Sequence, residues 1–423
     1  MRQKIFRLFA DLRFSIFTLL LISGCSIIGT VIEQDQSIEM YKINYPLTNP
    51  VFGFLSWDKI LYFGFDHVYK TWWFLFLIFV FGCSLVLCSF LQQLPSLKIA
   101  RRCQFFRTNR AFYKLNNYTI LTTPSFSKLL AGIQMENYSI FQQKNIVYSY
   151  KGLIGRIAPI IVHFSMILVL VGTVVSSLFG FKAQEIVPKT ENFHIQNIVS
   201  NGRFTVIPQN SARVNDFWIT YTKNKTISQF YSDISILNNN GNEIKRKTIS
   251  VNYPLVDKGV YYYQTDWNLV GLRFKTNTNQ IIEYPLVNVF PNQEKIWLTW
   301  ISNNQLTQNG IILLIDNLEG YCSIYSDTGQ FLGNMELNET VNFNQNITLL
   351  EILSSTGLQI KIDPGIPLIY LGFFFLMLST LVSYITYSQV WVLQKNKQLL
   401  IGGTTNRALF SFELEFLKFV RDN

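Results

Sequence analysis

The sequence predicts an α-helical membrane protein with four transmembrane helices that carries one large, antiparallel all-β domain, sandwich- or barrel-like, outside the bilayer. Two observations predict the helices. Apolar residues, 49% of the chain, gather into four blocks of spanning length, and Lys and Arg crowd the flanks of those blocks on one side. A third observation predicts the domain: between the third and fourth blocks the pattern changes to short alternating runs rich in β-branched and aromatic residues.

A basic leader, residues 1–13, opens the chain and overlaps the start of the first span, residues 12–31, "LRFSIFTLLLISGCSIIGTV". No small-residue cleavage signature follows it, so it reads as a span rather than a removed signal. A loop over 32–71 leads to the second span, 72–91, which contains no charge. The 92–156 loop is densely basic at its start, "KIARRCQFFRTNR", and continues with a mixed helix and strand pattern. The third span covers 157–181 with Pro159 in its first turn, where a missing N–H is tolerated. Strand-like runs such as "DFWITYT", "ISQFYSDISIL" and "GVYYYQTDW" fill 182–365; the fourth span is 366–387 and a tail runs over 388–423.

Orientation follows from charge. The leader, the 92–156 loop and the tail hold about 19 Lys/Arg against about 5 acids, while the remainder is mildly acidic. Those three segments are therefore expected on the cytoplasmic or stromal side, with the 32–71 loop and the β domain opposite. The net charge of +10 belongs to helix flanks, not to a separate basic domain, so a nucleic-acid partner is not expected. Trp72, Trp73 and Trp391 fall where indole rings favour the headgroup layer. Low Ala with abundant Ile, Asn, Lys, Phe and Tyr hints at an AT-rich genome such as an organelle's.

Several chemistries are excluded. The five cysteines, Cys25, Cys83, Cys88, Cys103 and Cys322, form no C-x-x-C, no zinc spacing and no C-x-x-C-H, and Cys322 has no partner in the polar region. Phosphate-loop, nucleophile-elbow and H-E-x-x-H patterns are missing as well. Three histidines remain. His163 lies inside the third span, where burial in lipid is expected to keep the imidazole neutral. A neutral imidazole is a good metal or haem-iron ligand, and it is equally suited to bonding a neighbouring helix. His67, beside Asp66 before the second span, reads as an interfacial residue that a ligand on that face could approach; His194 reads as surface. Asp266 and Trp267 in "YYYQTDW" and the "KIDPG" at 361–365 are conspicuous, with sheet packing and a turn as their plain explanations.

The stretches "LRFSIFTLLLISGCSIIGTVIEQ", "VYKTWWFLFLIFVFGCSLVLCS", "IAPIIVHFSMILVLVG", "VNYPLVDKGVYYYQTDW" and "TGLQIKIDPGIPLIYLGFFF" follow one another in an order that resembles the ResB family of System II c-type cytochrome biogenesis proteins, in its chloroplast and cyanobacterial form. The resemblance implies a non-autonomous membrane subunit of a cytochrome c synthase in the thylakoid membrane, its large domain in the lumen. It implies a polytopic partner bearing a Trp-rich haem-binding loop, apocytochrome c as the client, and haem b held transiently between the subunits. It implies a haem ligand, or an otherwise essential residue, at His163, the position matching the family's intramembrane histidine. Arg156, the nearest base, is a candidate for the propionates or an ordinary positive-inside anchor. The alternative is an assembly factor that docks apocytochrome c or braces the partner without binding haem. A transporter is disfavoured, since four spans without inverted repeats offer little for alternating access.

Overall fold

The computed structural model describes residues 2–51, 53, 55–122, 125–223, 226–276, 278–289, 295–304, 307–318, 320–343, 345–395 and 398–421. They fall into two compact units, one of residues up to 177 together with those from 365 onward, the other of residues 178–364.

In the first unit four helices are long and apolar enough to cross a membrane: Leu12–Val31, Trp72–Ala100, Ile154–Phe179 and Ile366–Ser383. Large apolar side chains such as Leu20, Phe79, Phe164 and Leu381 point outward from all four, the arrangement that lipid as solvent demands. The first helix starts where the Asp11 side chain accepts the Arg13 N–H, a cap that separates it from the short amphipathic helix Arg2–Phe9. The second is α-helical over Trp72–Cys88, passes through a π-helical turn at Ser89–Gln93, and resumes over Leu94–Ala100. The third begins at Ile154, earlier than the apolar run suggests. Pro159 therefore sits in its second turn, where the carbonyl of Gly155 loses its helical donor.

The third and fourth helices pack through small residues. Ala158, Ser165 and Gly172 recur every seven residues on one, Gly365, Gly372 and Ser379 on the other, and all six are buried. A side chain on Gly365 would meet the Gly172 carbonyl oxygen at 2.0 Å, and one on Gly372 would meet the Ser165 carbonyl at 3.1 Å. At the far end of the same seam Gly155 faces the Ile385 carbonyl at 2.1 Å and Gly152, with φ +75°, faces that of Thr386 at 1.9 Å. Close backbone approach through small residues is how helices gain contact in lipid, where no hydrophobic force drives them together.

The basic middle loop and the tail join in a small α/β layer. Its antiparallel sheet runs, in order, Asn117–Leu121, Gln398–Thr405, Ser388–Lys395, Ile146–Lys151 and Ser139–Gln143. Helices Phe126–Met135 and Leu409–Arg421 cover one face through Leu129, Ile133, Phe412, Phe416 and Phe419. Trp391 lies in the core on the other face, buried, stacked on Phe106 at 4.5 Å and donating its indole N–H to the Gln104 carbonyl at 2.8 Å. The expected headgroup anchor at this position is thus corrected to a core residue: its strand continues the sheet instead of trailing from the span.

Lys418 on the C-terminal helix bonds Glu136 at 2.6 Å, and that contact holds the Glu136 carboxyl below its ordinary value of 4.5. Because the folded value is lowered, the contact contributes fully above about pH 4.5 and fades as pH falls through the lower folded value. Proteolysis within the C-terminal helix is therefore expected to accelerate in that acid window, and Lys418→Met to flatten the response. An unchanged acid profile in the variant would refute the assignment.

In the second unit two long strands, Val260–Thr276 and Gln345–Ile362, pair antiparallel from Tyr261–Lys361 to Thr276–Ile347 and are shared by two cores. The first core lies between their sheet, extended by Phe181–Pro188 and Ile198–Asn201, and a four-stranded sheet of Asn192–Phe193, Ala212–Tyr221, Ile227–Leu237 and Glu243–Ser250. The second lies between the other half of the pair and a five-stranded sheet, Val287–Asn288, Trp297–Asn304, Thr307–Ile315, Tyr321–Ser326 and Phe331–Glu336. No sheet closes among the described residues, so the domain is a tandem sandwich and not a barrel.

The "YQTDW" stretch is the joint between the cores. Register shifts at Gln264/Asp266 and Leu269/Gly271 insert single residues, so the buried side chains change from Tyr262 and Gln264 to Trp267 and Leu269, then to Leu272 and Phe274. Buried Gln264 accepts from Ser232 and from Thr356 (2.8 Å) and donates to the Asp266 carbonyl at 2.8 Å. Trp267 packs on Trp297 at 5.1 Å, while Lys295 bonds Asp266 and sits 4.7 Å above the Trp267 ring. Burial pushes the thiol of Cys322, free within the second core, up to about 12, so it is chemically inert there.

Candidate functional site

A set of polar side chains from the first three membrane helices converges around the π-helical turn. Ser84 donates to the Phe9 carbonyl at 2.6 Å and lies 2.7 Å from the Ser15 hydroxyl, and Gln92 donates to the Ala10 carbonyl at 2.6 Å. These bonds satisfy backbone oxygens freed where the leader helix breaks before the first span. They also tie that break to the second helix.

His163 enters this cluster from the third helix, nine residues or about 13 Å from the helix start. Its Nδ1 lies 3.1 Å from Ser89 Oγ and 3.4 Å from the Leu85 carbonyl oxygen; its Nε2 lies 2.9 Å from Gln93 Nε2. The carbonyl can only accept, and the Ser89 hydroxyl donates to it at 2.8 Å, so the tautomer with the proton on Nδ1 is the one that fits these partners. Nε2 then keeps its lone pair, with the Gln93 amide donating to it. This tautomer, held by a backbone carbonyl, is the one that presents Nε2 to a metal.

Beside the ring is a cavity of about 310 Å³ lined by Leu12, Ser15, Leu19, Leu85, Gln92 and Met166 among others, at the small end of the range for ligand pockets. A second cavity of about 290 Å³ has a mixed lining that includes Arg156, Ser96, Gln104, Tyr387 and Gln389. Gln92 lines both. Arg156 is seven residues before His163, two turns and about 10 Å away on the same helix face. Its guanidinium donates to Ser96 Oγ at 3.1 Å and lies 5.1 Å from the Tyr387 ring, while its Nε–H is buried without a partner. Tyr387 in turn donates to the Ala100 carbonyl at 3.0 Å, and desolvation with the neighbouring Tyr148 pushes its phenol above its ordinary range.

His163 and Arg156 thus lie on one face of the third helix and line separate cavities that share Gln92, whereas His67 lines neither. His67 precedes the second helix at its opposite end, about 25 Å along the 17 residues of Trp72–Cys88. It is half exposed and its Nδ1 lies 2.9 Å from Asp66. It cannot meet the same ligand as His163 within one chain. His194, exposed in the β unit, bonds Gln196 at 2.6 Å. Among the described residues no three His, Cys, Asp or Glu side chains are grouped as a metal site.

Ser89, Gln92 and Gln93 were not legible as site residues. In "SFLQQLPS" they read as the polar end of a span, and only the structure sets Ser89 and Gln93 on the imidazole and Gln92 beside the same cavity.

Residues 12–311 and 291–417, nearly the whole chain, match the ResB-like family. The chain belongs to the ResB-like family. Among its ResB-like relatives is the cytochrome c biogenesis protein Ccs1 of Phaeodactylum tricornutum, 75% identical over 421 residues and covering 100% of both chains. The corresponding protein of Thalassiosira pseudonana is 66% identical over the same full length. The cytochrome c biogenesis protein CcsB of Microcystis aeruginosa is 43% identical across 98% of this chain and 94% of its own. Membership therefore extends over the helices and the β unit together.

Proposed function

We propose that the chain is a membrane subunit of the System II cytochrome c synthase, required for haem delivery to apocytochrome c and its attachment there, with His163 as one axial ligand of the haem iron in transit. The family and the names of the relatives support a role in cytochrome c biogenesis. The observation that carries the haem reading is the His163 network: an imidazole inside a membrane bundle, held by Nδ1, with Nε2 directed beside a largely apolar cavity.

These residues fit one face of a haem. The apolar walls suit the macrocycle, and Arg156, about 10 Å along the helix, suits the propionates. One imidazole and about 310 Å³ make half a site. The second ligand and remaining wall then come from a partner, the polytopic protein with the Trp-rich loop. Synthase activity belongs to that complex and not to this chain alone. On this reading the leader, the middle loop and the tail face the stroma of a thylakoid membrane and the β domain lies in the lumen, where apocytochrome c is finished; the excess of Lys and Arg in those three segments supports it.

The second reading, an assembly factor that never touches haem, is favoured by one contact: Gln93 already occupies Nε2. Two measurements decide between them. Disrupting the gene is expected to remove c-type cytochromes while b-type cytochromes persist. The complex purified through this chain is expected to show the absorbance of bound haem; a complex devoid of haem, in cells that make haem normally, would favour the second reading.

A further inference from the structure

We propose that the π-helical turn Ser89–Gln93 is a loading device for His163, in which Ser89 and the Leu85 carbonyl hold the ring by Nδ1 and the Gln93 amide is a placeholder on Nε2 that arriving haem displaces. The inference rests on the haem reading above and assigns roles to residues that reading leaves unassigned.

Three observations carry it. In a uniform α-helix, residues four apart drift by about 40° per step around the axis. The wider π turn offsets part of that drift and keeps Leu85, Ser89 and Gln93 in one row against the imidazole. Next, the Gln93 amide has only one orientation compatible with the ring. With Nδ1 protonated, the NH2 group must face Nε2, and the Gln93 carbonyl oxygen is then buried with no donor. The resting arrangement is therefore closed but unsatisfied. Finally, the cavity lined by both His163 and Gln93 gives the glutamine somewhere to go: rotation into it would release the orphaned oxygen and bare the Nε2 lone pair together. Ser89, by contrast, sits on the other nitrogen and does not obstruct the ligand side.

The two residues should thus act with opposite signs. The full-length chain, purified with its co-purifying partner, would be titrated with ferric haem b by absorbance, and the reduction midpoint potential of the bound haem recorded. Gln93→Leu is expected to bind about fivefold tighter, since one competing hydrogen bond is removed. Ser89→Ala is expected to bind more weakly and to raise the midpoint potential, because a less strongly held Nδ1–H makes Nε2 a poorer donor to ferric iron. A packing role would weaken both variants alike. If His163→Ala loses haem while both variants weaken, or neither changes, the loading device is overturned and the haem reading stands. If His163→Ala binds as the wild type does, both fall.

Discussion

Gly365→Ala is expected to prevent the membrane bundle from assembling, although it adds a single methyl group. That methyl carbon would lie 2.0 Å from the Gly172 carbonyl oxygen and 2.2 Å from Ser176 Oγ. The serine can rotate, but the carbonyl is backbone inside a helix and cannot. The third and fourth helices would have to separate, and the contacts at Gly372 and at Gly155 belong to the same seam. Overpacking a well-packed core costs about 1–3 kcal/mol, and a backbone clash belongs at or beyond the top of that range. Gly82→Ala, whose nearest neighbour is the flexible Leu170 side chain at 3.9 Å, is the matched control in another span. Monodisperse yield in detergent and thermal unfolding measure the difference; equal behaviour of the two variants would show that the seam does not hold the bundle.

His163→Ala is expected to strip haem from the purified complex, lowering affinity more than about 100-fold. That is the upper end of the loss when merely an outer partner of a ligating histidine is removed, and here the ligand itself goes. Accumulation of c-type cytochromes should fall with it. The substitution enlarges an existing cavity of about 310 Å³, so imidazole added to the medium is expected to enter, ligate the iron and restore part of the haem signal. Rescue separates loss of a ligand from loss of fold, because a misassembled bundle gains nothing from free imidazole. Undiminished haem in the variant would sink the proposal.

The same two regions show how far local patterning reaches. The four spans were legible because lipid imposes its requirement on every window of about 20 residues, independent of what packs beside it. His163 stood out for the same reason, an ionisable group where the solvent disfavours one. The strands of the β unit were legible from their period and composition. Their division was not: whether "YQTDW" lies in a single core or joins two depends on bulges placed by the facing strand Gln345–Ile362, some 90 residues away. The tail strands carried a readable alternation too, but Ser388–Lys395 pairs with Ile146–Lys151 across about 240 residues, and nothing local to either announces the other.

The sequence by itself therefore determined the solvent of each segment, lipid or water, and the kind of backbone that solvent permits. It also marked the one histidine within lipid, since each of these follows from composition over a few turns or strands. Only the tertiary structure decided which helices touch, that the seven-residue rows of small side chains face each other, and that a π turn sets Ser89 and Gln93 on the two nitrogens of His163. Those are relations between residues about 70 to 200 positions apart, set by close packing and hydrogen-bond satisfaction, which act in space and leave no period along the chain.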